Sequence, residues 1–104
     1  MTKVTPIKIN DPLIGKWSAS DGFSDVVVKI SIESNEYIVS VTDCTDDKVA
    51  EVYDIESKDG NIFFKVHWPT TGRFVKYQFH PLPNGNVGVN YTYSDQETWQ
   101  KIGT

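Results

Sequence analysis

Glu51 and Arg73 fall at one end of the expected fold, where the hairpin registers set Glu51 beside Trp68 and Trp68 beside Arg73. Glu51 lies on an alternating stretch with Val49, Tyr53 and Ile55, and Arg73 is the single arginine, separated from Trp68 by the turn-forming run Pro-Thr-Thr-Gly. A carboxylate on an apolar face has to ionise beside a cation, keep its proton or sit at a wet rim. A nearby guanidinium would satisfy the first of these, and it can also clamp a ligand carboxylate or stack on an aromatic ring. Tyr53, Tyr77, Tyr91 and Tyr93 follow the same alternation. Glu51, Trp68, Arg73 and Tyr93 are therefore expected to line a mouth, with Tyr53, Tyr77 and Tyr91 beneath it. Apolar walls with a few convergent polar groups are what small-molecule pockets are made of. The same residues also describe a side-chain core capped by a structural salt bridge.

Other reactive side chains point elsewhere. His67 and His80 fall on the face opposite these aromatics, together with Phe63, Phe74, Lys65, Lys76 and Gln78. Phe63, Phe74 and His67 form a candidate interface, because solvent-facing aromatics on adjacent strands mark contact surfaces, and a homodimer through it is one expectation. No serine or cysteine is spaced to make a nucleophile–base pair, so no catalytic residue is assigned. Asp43, Asp46 and Asp47 crowd one turn, but their spacing is not that of a calcium loop, and turn chemistry places aspartates there. No metal site and no cofactor follow. Cys44, the only cysteine, sits in that acidic turn, where a thiolate is discouraged. It allows neither an internal disulfide nor a cysteine zinc site.

The elements that must position these groups are strands. The chain has 104 residues, a formal net charge of −4, three tryptophans, five tyrosines and five phenylalanines. Its 12 valines, nine isoleucines and nine threonines far outnumber its five alanines, leucines and methionines, the balance of a β protein. The acidic charge with one arginine argues against a nucleic-acid surface. No apolar run approaches the ~20 residues of a membrane span, and residues 1–12 carry no signal-peptide stretch, so a soluble cytoplasmic chain is expected.

Turn signals at residues 20–22, 34–35, 43–47, 59–60, 69–72, 83–85 and 94–96 divide the chain into eight strands near 14–20, 25–33, 36–42, 48–57, 61–68, 73–80, 86–93 and 97–102. Residues 1–12 read as an arm and 13–104 as one domain. Alternation tests each hairpin, since a slip of one residue moves every side chain to the other face. A two-residue turn at Ser34-Asn35 opposes Ile32 to Tyr37, Ile30 to Val39 and Val28 to Val41. Asp59-Gly60 opposes Ile55 to Phe64, Tyr53 to Val66 and Glu51 to Trp68. The loop at 69–72 opposes Trp68 to Arg73, Val66 to Val75, Phe64 to Tyr77 and Ile62 to Phe79. At 83–85 a two-residue turn would break the alternation. A type I turn with Pro83 first and Gly85 in a left-handed bulge restores it, pairing Phe79 with Val89, Tyr77 with Tyr91 and Val75 with Tyr93. The final hairpin is ambiguous; Trp99 is taken to point inward.

A meander with one apolar face must hide that face and both sheet edges, and closing the sheet does both. The expected fold is an all-β, eight-stranded antiparallel up-and-down barrel, with an open, bent meander that dimerises as the alternative. Gly15-Lys16-Trp17 opens the first strand, and Trp99 with Lys101 sits on the last. This resembles the calycin pattern of lipocalins, fatty-acid-binding proteins and avidins, in which a Gly-x-Trp strand begins the barrel and a basic residue on the final strand packs across the tryptophan. The chain is shorter than typical lipocalins and lacks their second motif, and it lacks the helical lid of fatty-acid-binding proteins. The resemblance implies binding of a small apolar or aromatic molecule and adds Trp17 to the candidate ligand-binding set. Two alternatives compete: a non-redox barrel enzyme of cyclase or isomerase type, and a protein-interaction barrel with a filled core.

Overall fold

The computed structural model describes residues 11–19 and 25–103. Most of the expected arm and the turn at 20–22 lie outside them. The described chain is all-β, with eight antiparallel strands in two four-stranded sheets and no helix: β1 (Gly15–Ser18), β2 (Val26–Glu33), β3 (Glu36–Asp43), β4 (Lys48–Val49), β5 (Glu51–Lys58), β6 (Asn61–Trp68), β7 (Arg73–Pro81) and β8 (Val87–Ser94). The first sheet runs β1-β2-β3-β4 and the second β5-β6-β7-β8.

Turn chemistry sets the hairpins. Ser34 and Asn35 both have positive φ, 50° and 68°, as do Asp59 and Gly60 at 55° and 81°. Positive φ at both central positions is the two-residue turn whose twist matches that of paired strands. The β2–β3 pairing sets Val28 against Val41, Ile30 against Val39 and Ile32 against Tyr37, as the alternation requires. At residues 83–85 the Gly85 amide donates to the Leu82 carbonyl at 3.2 Å, the Leu82 amide donates to the Asn86 carbonyl at 2.9 Å, and Gly85 has φ 87°. That is the type I turn with a glycine bulge, and β7–β8 accordingly pairs Phe79 with Val89, Tyr77 with Tyr91 and Val75 with Tyr93.

Two departures reshape the expected barrel. The predicted fourth strand is divided at Ala50, a buried residue whose amide donates to the Val41 carbonyl at 2.9 Å. Its first part pairs with β3 and its second with β6, so the chain passes from one sheet to the other there. The predicted strand at 97–102 does not form, and residues 95–103 pair with no strand. Among the described residues β1 has only β2 as neighbour and β8 only β7, so no closed barrel is present.

Among the described residues, eleven buried side chains make one core: Val28, Ile30, Val39 and Val41 of the first sheet, Ile62, Phe64, Val66, Val75 and Phe79 of the second, and Leu13 and Ala50 outside the strands. Each large apolar side chain among them contributes on the order of 1.5–3 kcal/mol by leaving water. Leu13 sits at the turn end of the first sheet. There Asp11 accepts hydrogen bonds from the Leu13 amide at 2.9 Å and from the Tyr37 hydroxyl, and burial together with that carboxylate pushes the Tyr37 phenol upward.

Candidate functional site

The inward side chains near the two free sheet edges line an open-sided trough of about 720 Å³. On one side stand Trp17, Ser18 and Ala19 at the end of β1, with Val26 and Val28 of β2. On the other stand Trp68, Arg73, Val75, Tyr77 and Phe79, then Val87, Val89, Tyr91 and Tyr93 of β8, with Leu82 and Asn86 of the β7–β8 loop at one end. Of the eight side chains expected to bind a ligand, Trp17, Trp68, Arg73, Tyr77, Tyr91 and Tyr93 are brought together here.

Glu51 and Tyr53 are not, and this corrects their expected placement. Across β5 and β6 the pairing begins as foreseen, Lys58 with Asn61 and Glu56 with Phe63, then shifts by one residue between Glu56 and Tyr53. Asp54, with φ 53°, provides the extra residue of a β-bulge. Beyond it Val52 pairs with Val66 and packs on the core, while Tyr53 pairs with Lys65 and Glu51 with His67. Both candidates therefore lie on the outer surface. Glu51 is 66% exposed and its Oε1 accepts from His67 Nδ1 at 2.6 Å. Val49, expected inward, is likewise exposed.

Trp17 is positioned by the residues before it. Gly15 has φ 149°, a value other residues rarely adopt, and an added Cβ there would lie 3.5 Å from the Trp17 ring. The indole thus lies back along its own strand, and its Nε1–H donates to the Leu13 carbonyl at 2.9 Å. That interaction fixes one wall of the trough. On the opposite wall Tyr77 meets Tyr91 with ring centroids 6.1 Å apart and is backed by the buried Phe64 at 5.2 Å. Burial, with Tyr91 adding to it, raises the Tyr77 phenol, which therefore stays neutral.

The partner of Arg73 is Asp95, not Glu51. Its Nε–H donates to Oδ1 at 2.6 Å and its Nη2 to Oδ2 at 3.0 Å, while the guanidinium carbon lies 4.8 Å from the centre of the Tyr93 ring. The hydrogen bonds from Arg73 hold the Asp95 carboxyl below its usual range. Asp95 escaped the sequence reading although a signal was present. The register that opposes Val75 to Tyr93 also opposes residue 95 to Arg73, but Ser94-Asp95-Gln96 reads as a turn.

The proposed interface residues share the outer face of the second sheet. His67 stacks on Phe74 with centroids 4.4 Å apart, and Phe63 pairs with Gln78 on the same surface. In the acidic turn, Asp43 accepts from the Thr45 amide and Asp46 from the Lys48 amide, which is turn chemistry. No cluster of three metal-ligating side chains occurs among the described residues.

Chemically, the trough offers flat apolar walls, phenol hydroxyls that can donate or accept, and a guanidinium already committed to a carboxylate. No protein-family model matches the chain, and no curated protein or solved structure matches it.

Proposed function

We propose that this chain is a small calycin-like binding protein whose trough holds a compact, planar, mostly apolar molecule. The observation that carries the reading is the convergence of Trp17, Trp68, Tyr77, Tyr91 and Tyr93 on one concavity of about 720 Å³, within the roughly 300–1,000 Å³ of small-molecule sites. Aromatic faces on two sides favour a flat ligand by stacking. The phenol hydroxyls of Tyr77, Tyr91 and Tyr93, which can donate or accept, favour one that carries a hydrogen-bonding group. Because Arg73 already donates two hydrogen bonds to Asp95, a neutral ligand fits better than an acid, which would have to displace that carboxylate. The catalytic alternative is weaker, since it relied on Glu51 as an acid–base group in the interior, and the titratable side chains lining the trough are Arg73 and three tyrosines.

Trp17 and Trp68 supply an intrinsic fluorescence reporter at the site. A panel of neutral bicyclic aromatic probes, indole and naphthol among them, should quench it saturably. Val89→Trp, which places bulk in the trough from a side chain already 38% exposed, should abolish the quenching while leaving the thermal transition in place. Absence of saturable binding to the whole panel at millimolar concentration, or equal binding by the filled variant, overturns the reading.

A further inference from the structure

We propose that residues 97–102 of one molecule close the trough of a second copy, adding as a strand between β8 and β1, so that two chains exchange this segment around a two-fold axis.

The first ground is strand direction. Each hairpin reverses the chain, while β4 and β5 run on in one direction through Ala50. β1 and β8, the free edges, consequently point the same way. They cannot form an antiparallel pair with each other, but one strand running opposite to both would complete an antiparallel ring. Each edge presents a row of unpaired backbone groups that recruits such a strand, and the two edges flank the same trough.

The second ground is the segment itself. Thr98, Trp99 and Ile102 are strand-forming residues, with Trp99 and Ile102 on opposite faces of an extended chain, yet among the described residues the segment pairs with no strand and leaves Trp99 85% and Ile102 93% exposed. Six extended residues reach about 20 Å at ~3.3 Å each, most of the length of β8. With Trp99 facing in, its ring would meet the exposed rings of Tyr91 and Tyr93, which are 61% and 59% accessible.

The third ground decides between the molecule's own trough and that of another copy. Filling its own trough requires a reversal at residues 94–96. Instead the chain runs straight past the sheet: Ser94 pairs with Phe74, Asp95 is held by Arg73, and the Gln96 side chain lies over Gly72, where an added Cβ would stand 2.9 Å from its Oε1. The segment is thereby aimed away from its own body, the starting geometry for exchange between identical chains.

The test is independent of any ligand. Light scattering after gel filtration of the full chain should give about twice the 11.8 kDa chain mass, and both a chain ending at Gln96 and the variant Trp99→Ser should give the single-chain mass. In a Cys44→Ser background, Asn90→Cys on β8 and Gln100→Cys in the segment should form a disulfide between unlike chains when the two single variants are refolded together. A full chain that is monomeric overturns the proposal, as does a dimer that survives both the shortened chain and Trp99→Ser. So does failure of the two single variants to cross-link while a chain carrying both Asn90→Cys and Gln100→Cys forms the disulfide within itself.

Discussion

Glu51 and His67 face each other across β5 and β6 on the outer surface of the second sheet, Oε1 2.6 Å from Nδ1, with the aromatic trough on the other side. The pair is solvent-exposed, 66% on the glutamate side and 26% on the histidine side. A side-chain hydrogen bond at the surface contributes little, about 1 kcal/mol or less. Glu51→Gln is therefore expected to lower unfolding stability in urea by no more than about 1 kcal/mol, and to leave the quenching of Trp17 and Trp68 by an aromatic probe unchanged. Loss of probe binding in this variant would return Glu51 to the site and contradict the outward placement.

That placement depends on a bulge at a residue other than glycine. Asp54 holds φ 53° and its carboxylate accepts from Lys65 Nζ at 3.1 Å. A β-branched side chain is poorly tolerated at positive φ, at a cost on the order of 1–3 kcal/mol. Asp54→Val should lose about that much, whereas Asp54→Gly exchanges relief of backbone strain for an exposed ion pair and should be close to neutral. Equal urea midpoints for Asp54→Val and the parent would mean that the extra residue is accommodated elsewhere on β5.

The bulge also explains where reading the chain by alternation succeeds and fails. The hairpins β2–β3, β6–β7 and β7–β8 were legible because two independent constraints, turn chemistry and apolar periodicity, agree on one register. Rejecting the two-residue turn at Asn84-Gly85 required only that Phe79 not oppose Asn90. Between β5 and β6 the turn at Asp59-Gly60 is also right, but its register holds only as far as Glu56. Val49, Glu51, Tyr53 and Ile55 make a plausible buried face, while Ala50 and Val52, which the core takes, are smaller and fewer. Nothing in Asp54 announces positive φ as a glycine would. The Asp95 partner of Arg73 was within reach of the β7–β8 register, yet local turn propensity ended the strand one residue too soon. Whether a meander closes depends on how its two edges meet, which no local pattern encodes.

Gly15 and Trp17 offer a test of the short motif that suggested a calycin-like barrel. Gly15 has φ 149°, and the space for a Cβ is adequate, at 3.5 Å from the Trp17 ring, so the penalty for a side chain comes from the backbone. Gly15→Ala should destabilise the protein by roughly 1–3 kcal/mol. Trp17→Phe keeps an aromatic wall but removes the donor to the Leu13 carbonyl, at a cost of about 1 kcal/mol or more if that carbonyl is left unsatisfied. Chemical denaturation of both variants checks the two values. A neutral Gly15→Ala would show that the strand adopts ordinary backbone angles in solution.

Protonation of Asp95 should release the chain direction on which strand exchange depends. Hydrogen bonds from Arg73 lower the folded-state pKa of Asp95 relative to the free side chain and raise that of Arg73. A depressed carboxylate pKa means that the ionised pair contributes fully above the ordinary carboxylate range and is lost as pH falls through the lowered folded value; Arg73 stays charged throughout. Both groups are exposed, so the effect to read is the path of residues 95–102, not global stability. Asp95→Asn should reproduce at neutral pH what acid does to the parent, freeing the segment to turn back on its own trough, so that the dimer fraction falls. Many other carboxylates also titrate in acid, and the comparison between chains isolates this one. The parent should lose dimer on acidification over a range in which Asp95→Asn, already low in dimer, changes less. Identical pH profiles of mass by light scattering for the two chains would show that the Arg73–Asp95 contact does not direct the segment.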